Sequence, residues 1–86
     1  MPGPKPAPRL HLNPVFRDRV LREIEDGTPS AMLARCAGFP NSADFSTTIH
    51  AQSVRATPRM IHRLEALAAV LRFPADDIFL PETPRP

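Results

Sequence analysis

The chain has 86 residues, 12 of them proline, with three glycines, five Phe, no Trp or Tyr and one cysteine. A chain this short makes one domain whose core leaves roughly 40% of the unfolded surface exposed, which excludes most multi-step enzymes with their own substrate domain; the unpaired Cys36 excludes a disulfide scaffold. Ten Arg and one Lys against nine acids give a net charge of +2 and a pI near 9.5, but residues 14–80 hold eight Arg and eight acids, so net charge alone does not establish a polyanionic partner.

No run of about 18 apolar residues is present, so no membrane span is expected. The start of the chain, Met1 to Pro6, lacks the apolar stretch of a signal peptide, and the expected compartment is the reducing cytoplasm. Seven prolines (2, 4, 6, 8, 81, 84 and 86) fall near the ends. Such density favours extended, solvated backbone, so 1–12 and 81–86 read as flexible tails around a domain at 13–80.

The five internal prolines (14, 29, 40, 58 and 74) each precede or open a helix-compatible stretch. Asn13-Pro14, Thr28-Pro29 and Thr57-Pro58 pair an N-cap side chain with proline at the first helical position, where a missing N–H costs nothing. In 14–26, Phe16, Val20 and Ile24 recur at i, i+4, i+8 with Leu21 beside them. In 29–37, Met32, Leu33, Cys36 and Ala37 form an apolar face, and Gly38 suits a left-handed C-terminal cap. Asn41 opens a third helix with Asp44 as a capping-box partner, and Phe45, Ile49 and Thr48 mark its inner face. Met60, Ile61, Leu64, Leu67, Ala68 and Leu71 form the stripe of a fourth helix. A short fifth turn follows Pro74 and carries Ile78, Phe79 and Leu80. No segment shows sustained two-residue alternation, so the expected class is all-α, a compact five-helix domain.

Two short helices joined by Gly38-Phe39-Pro40, between a longer first and a long fourth helix, are the parts of a helix-turn-helix at about 29–51. The order Leu33-Ala34, Gly38, Phe39, Phe45, Ile49, Pro58, Leu64, Leu67-Ala68, Leu71, Phe73 and Asp77-Ile78-Phe79 resembles the lambda-repressor/Cro-like, or xenobiotic-response-element, helix-turn-helix family over residues 15–80. This chain departs from the family in two places. Phe45 lies seven residues after Gly38, one more than usual, with Pro40 inside the turn. Ser30 stands where members often carry a phosphate-contacting Gln.

The resemblance implies that the second helix of the motif enters the major groove of double-stranded DNA at an operator-like site. Carried over by position, the base-contacting residues are Asn41, Ser42, Ala43, Ser46, Thr47 and His50, followed by Gln52 and Ser53. Asn and Gln pair with adenine, Ser and Thr suit either pattern, and Ala43 or the Thr47 methyl meets thymine. That helix carries no Arg or Lys, so phosphate contacts fall to Ser30, Arg35, Arg55, Arg59 and Arg63, or to Lys5 and Arg9 in the tail. Weak non-specific affinity and a modest salt slope follow.

Each singled-out residue also has a plainer role. Asn41 and Ser42 serve equally as caps, and Asp44 is a cap partner rather than a DNA contact. His11, His50, His62 and Cys36 lack metal-ligand spacing, and no cofactor is expected. Cys36 reads as a small buried apolar residue, and the Met60–Leu71 stripe as core rather than coiled coil. Arg55, Arg59 and Arg63 equally describe a solvated face. The leading expectation is a transcriptional repressor of phage, plasmid or antitoxin type, acting as a homodimer through Ile78, Phe79 and Leu80 or through the 52–57 loop. The rival is a helical protein-interaction module that docks on a toxin or a polymerase without reading DNA. No nucleophile–base grouping points to an enzyme.

Overall fold

A computed structural model describes residues 7–81. The elements run β1 (Arg9–His11), α1 (Pro14–Glu25), α2 (Ser30–Ala37), α3 (Ser42–His50), β2 (Ser53–Arg55) and α4 (Pro58–Leu71), then a single 3-10 turn at Ala75–Asp77. The domain is thus four helices with a two-stranded antiparallel sheet. No helix among the described residues is long and apolar enough to cross a membrane.

Two caps fall where Asn-Pro and Thr-Pro place them. The Asn13 side chain accepts from the Val15 N–H at 3.0 Å, and Thr57 accepts from the Met60 N–H at 3.1 Å, each with proline next in the chain. The expected Thr28 cap does not form. Pro29 itself occupies the cap position, its carbonyl accepting from Met32 and Leu33 at 3.0 and 3.3 Å. Thr28 is engaged instead in closing α1, donating its N–H to Glu23 at 3.1 Å.

Three helices end alike. Thr28, Phe39 and Phe73 each return their N–H to a carbonyl five residues back, while Gly27, Gly38 and Arg72 before them adopt positive φ (116°, 86° and 57°). This is the Schellman pattern, which satisfies terminal carbonyls by reversing the chain. α3 is the exception: Ala51 after it is extended at φ −72°, ψ 142°.

The core collects Phe16 and Val20 of α1, Leu33, Ala34 and Ala37 of α2, Phe45 and Ile49 of α3, and Leu64, Leu67, Ala68 and Leu71 of α4. Each fully buried large side chain stabilises the fold by about 1.5–3 kcal/mol. Phe16 meets Phe73 at 5.2 Å between ring centroids, and Phe39 meets Phe45 edge-on at 5.5 Å. The second contact pins the α2–α3 turn against α3.

Several expectations change. The all-α class is corrected by the sheet, in which Arg9, Leu10 and His11 face Arg55, Val54 and Ser53. Each strand has three residues, too few for alternation to stand out in sequence, and their pairing closes a loop of more than 40 residues. Residues 9–12, read as tail, therefore belong to the domain, and Leu12 is buried at 2% exposure. The tail prolines 2, 4, 6, 84 and 86, with Lys5, lie outside the described residues. The fifth helix is only the 3-10 turn. On α2 the buried face is Leu33, Ala34 and Ala37, whereas Met32 and Cys36 are exposed. The small Ala34 side is the one that packs, and this turns Cys36 outward. Ile78 is buried at 1%, so it anchors the C-terminal segment and is not part of a dimer surface.

Candidate nucleic-acid interface

α3 is built to present one face. Asn41 starts it by accepting from the Asp44 N–H at 2.7 Å. Phe45, Thr48 and Ile49 are buried and fix which side looks inward. At about 100° per residue, Ser42, Ser46, His50, Ala43 and Thr47 then sweep an outward arc of roughly 140°, and all five are exposed. These are five of the eight residues expected to contact bases. Short hydroxyls, a methyl and an imidazole make a surface that can approach base edges closely, with donors and acceptors but no fixed charge.

Of the other three, Asn41 is exposed, with its side-chain oxygen committed to the cap. Gln52 is exposed after the helix, its carbonyl accepting from the Leu12 N–H at 3.2 Å. Ser53 departs from expectation. It lies in β2, where its hydroxyl and carbonyl oxygens accept from the Arg9 guanidinium at 3.1 and 3.0 Å. Sheet pairing binds it to the protein's own N-terminal strand.

The phosphate candidates divide. Arg35 is exposed on α2 and lines an open hollow together with Ala31, Gly38, Pro40, Asn41 and Ser42. Arg55 and Arg59 are exposed, while Ser30 is half-buried at the first position of α2. Arg63 is half-buried, its guanidinium 5.2 Å from the Phe39 ring centroid. That cation–π contact braces the turn between α2 and α3. Of the C-terminal trio, Phe79 is half-buried and bridges to Leu12, and Leu80 is exposed.

No protein-family model, curated protein or solved structure matches the chain.

Arg17 is the residue that sequence reasoning missed. From α1 its Nε donates to the Ile49 carbonyl and its Nη2 to the Ala51 carbonyl, both at 2.7 Å. The guanidinium fork thereby supplies what a left-handed reversal supplies at the ends of the other helices, and places positive charge on the negative end of the α3 dipole. The signal in the sequence was weak: no glycine follows Ile49-His50-Ala51, but none follows α4 either, where the chain reverses at Arg72; only where the backbone stays extended, as at Ala51, do the last carbonyls need another donor. Which of the arginines would reach them depends on how α1 crosses α3.

Proposed function

We propose that this chain is a sequence-specific DNA-binding protein, a transcriptional regulator of repressor type, that lays α3 in the major groove. The observation that carries the reading is the outward arc of Ser42, Ala43, Ser46, Thr47 and His50 on a helix clamped at both ends, by Asn41 and by Arg17. Base readout needs a rigid element whose exposed side chains are short and hydrogen-bonding. The α2–turn–α3 unit, with Gly38 at φ 86° and Phe39 packed on Phe45, is consistent with the lambda-repressor/Cro-like resemblance.

Phosphate contact falls to Arg35, Arg55 and Arg59. One helix reads few base pairs, so two copies on a symmetric site are proposed. With Ile78 buried, the segment after the 3-10 turn offers only Leu80 and part of Phe79 to such an interface. The observation favouring a protein-docking role instead is that α3 contains no Arg or Lys.

The test is selection of genomic fragments by purified protein. A recovered palindromic or repeated motif, lost in the Thr47→Ala/His50→Ala double variant with its helical circular dichroism intact, supports DNA reading. Binding that ignores sequence, or no binding at low salt, refutes it.

A further inference from the structure

The β1–β2 ribbon places two arginines opposite each other in its register. Its register pairs Arg9 with Arg55 and His11 with Ser53 on one face, and Leu10 with the buried Val54 on the other. The Ala56 N–H donates to Pro8 at 2.8 Å and the Leu12 N–H to Gln52 at 3.2 Å. Antiparallel bonding alternates along a ladder, so 8↔56, 10↔54 and 12↔52 are the bonded pairs. Arg9 and Arg55 therefore form a non-hydrogen-bonded pair, the kind that brings opposing side chains closest. Like charges placed this way destabilise a sheet.

Among the described residues no carboxylate is paired with either arginine. Arg9 turns its guanidinium toward Ser53, a neutral acceptor. The only ion pair among the described residues is Arg19–Glu23, within α1. Both strands come from carboxylate-free stretches of the chain, residues 1–17 and 45–64, and the second also carries Arg59 and Arg63. The even charge count of residues 14–80 thus conceals a local positive face, to which Arg9 adds from outside that span. It follows α3 in the chain after only Ala51 and Gln52, and α3 itself brings no cation.

We infer that the outer face of this ribbon, Arg9 and Arg55, is a phosphate-contacting surface that grips the DNA backbone next to the bases read by α3. The inference rests on the DNA-binding reading. A phosphodiester at this face offsets the like charges and accepts from the Arg55 guanidinium and from the Arg9 N–H groups that Ser53 leaves free. The contact adds affinity without sequence preference.

The experiment measures affinity of the full chain for its selected duplex across a salt series, with Arg55→Gln, with the Arg9→Gln/Arg55→Gln pair, and with Arg22→Gln on α1 as the control. Arg55 makes no side-chain hydrogen bond within the described residues, so its replacement leaves the ribbon's bonds in place, and its melting temperature should hold or rise as the repulsion disappears. Each arginine removed should lower the slope of log K against log salt by about 0.9, which narrows the ratio of affinities at 50 and 200 mM salt by about 3-fold. The selected motif should not change. Salt slopes equal to wild type, with binding and motif retained, overturn the ribbon contact and leave the DNA reading standing. A wild-type chain that binds no duplex overturns both, and so does a ribbon that captures an acidic polypeptide in preference to DNA.

Discussion

Replacing Arg17 with methionine keeps an unbranched apolar stem in α1 and removes the guanidinium that holds the end of α3. Two charge-assisted hydrogen bonds are lost, to Ile49 and Ala51, each 2.7 Å long. Bonds of this kind contribute roughly 1.5–3 kcal/mol each where they are partly shielded from water. The site is half-buried, so water recovers part of the loss, and the expected destabilisation is about 2–4 kcal/mol. That is a large share of the roughly 5–15 kcal/mol available to a small domain. Urea unfolding followed by circular dichroism should show a lower midpoint at unchanged slope. In a chain of this size the melting temperature should fall by about 10 °C or more. Arg17→Lys should recover only a fraction, because a single ammonium cannot span two carbonyls as a planar fork does. A loss below about 1 kcal/mol for Arg17→Met would show that α3 is held by its apolar face and the Asn41 cap without the guanidinium. Arg17 would then not act as a clamp on α3.

Gly38 and Arg72 occupy equivalent left-handed positions at the ends of α2 and α4, so opposite substitutions should move stability in opposite directions. In Gly38→Ala the new Cβ would lie 4.0 Å from the Arg63 Cγ. Space is therefore adequate, and the expected cost of about 1–2 kcal/mol is backbone strain. Arg72→Gly relieves that strain and should raise stability by about 0.5–1 kcal/mol; paired thermal melts check both signs. Asn41→Ala should cost about 1 kcal/mol through the lost cap, while Asn41→Asp keeps the cap and therefore the stability. Asn41→Asp also loses the amide donor and adds negative charge at the proposed groove face. Duplex affinity should therefore fall for Asn41→Asp even as its melting temperature holds, a split that fluorescence anisotropy and a thermal melt resolve.

How far the chain could be read in advance depended on the range of the interaction concerned. Asn13-Pro14, Asn41 and Thr57-Pro58 act through bonds to residues two or three positions away, so residue type and spacing suffice to place those helix starts. The inner face of α3 was legible for the same reason, since Phe45, Thr48 and Ile49 share one side of a helix whatever it packs against. Its outward arc followed by elimination. α2 was harder, because eight residues leave a broad apolar sector, and only the close packing of α2 on its neighbours selects Ala34 over Met32 and Cys36.

The prolines that dominate the composition show where the division falls. Proline constrains its own φ and withholds its own N–H, which are local facts; by itself the sequence therefore located the starts of α1, α3 and α4, the reversal at Gly38 and the outward side of α3. It could not show that residues 9–12 leave the proline-rich tail to pair with 52–55. Nor could it show that Ile78 turns inward, or that Arg17 closes α3. Those outcomes depend on segments more than 30 residues apart meeting in space. The unpaired backbone groups of a loop, a strand and a helix end find their partners only once the core has brought them together.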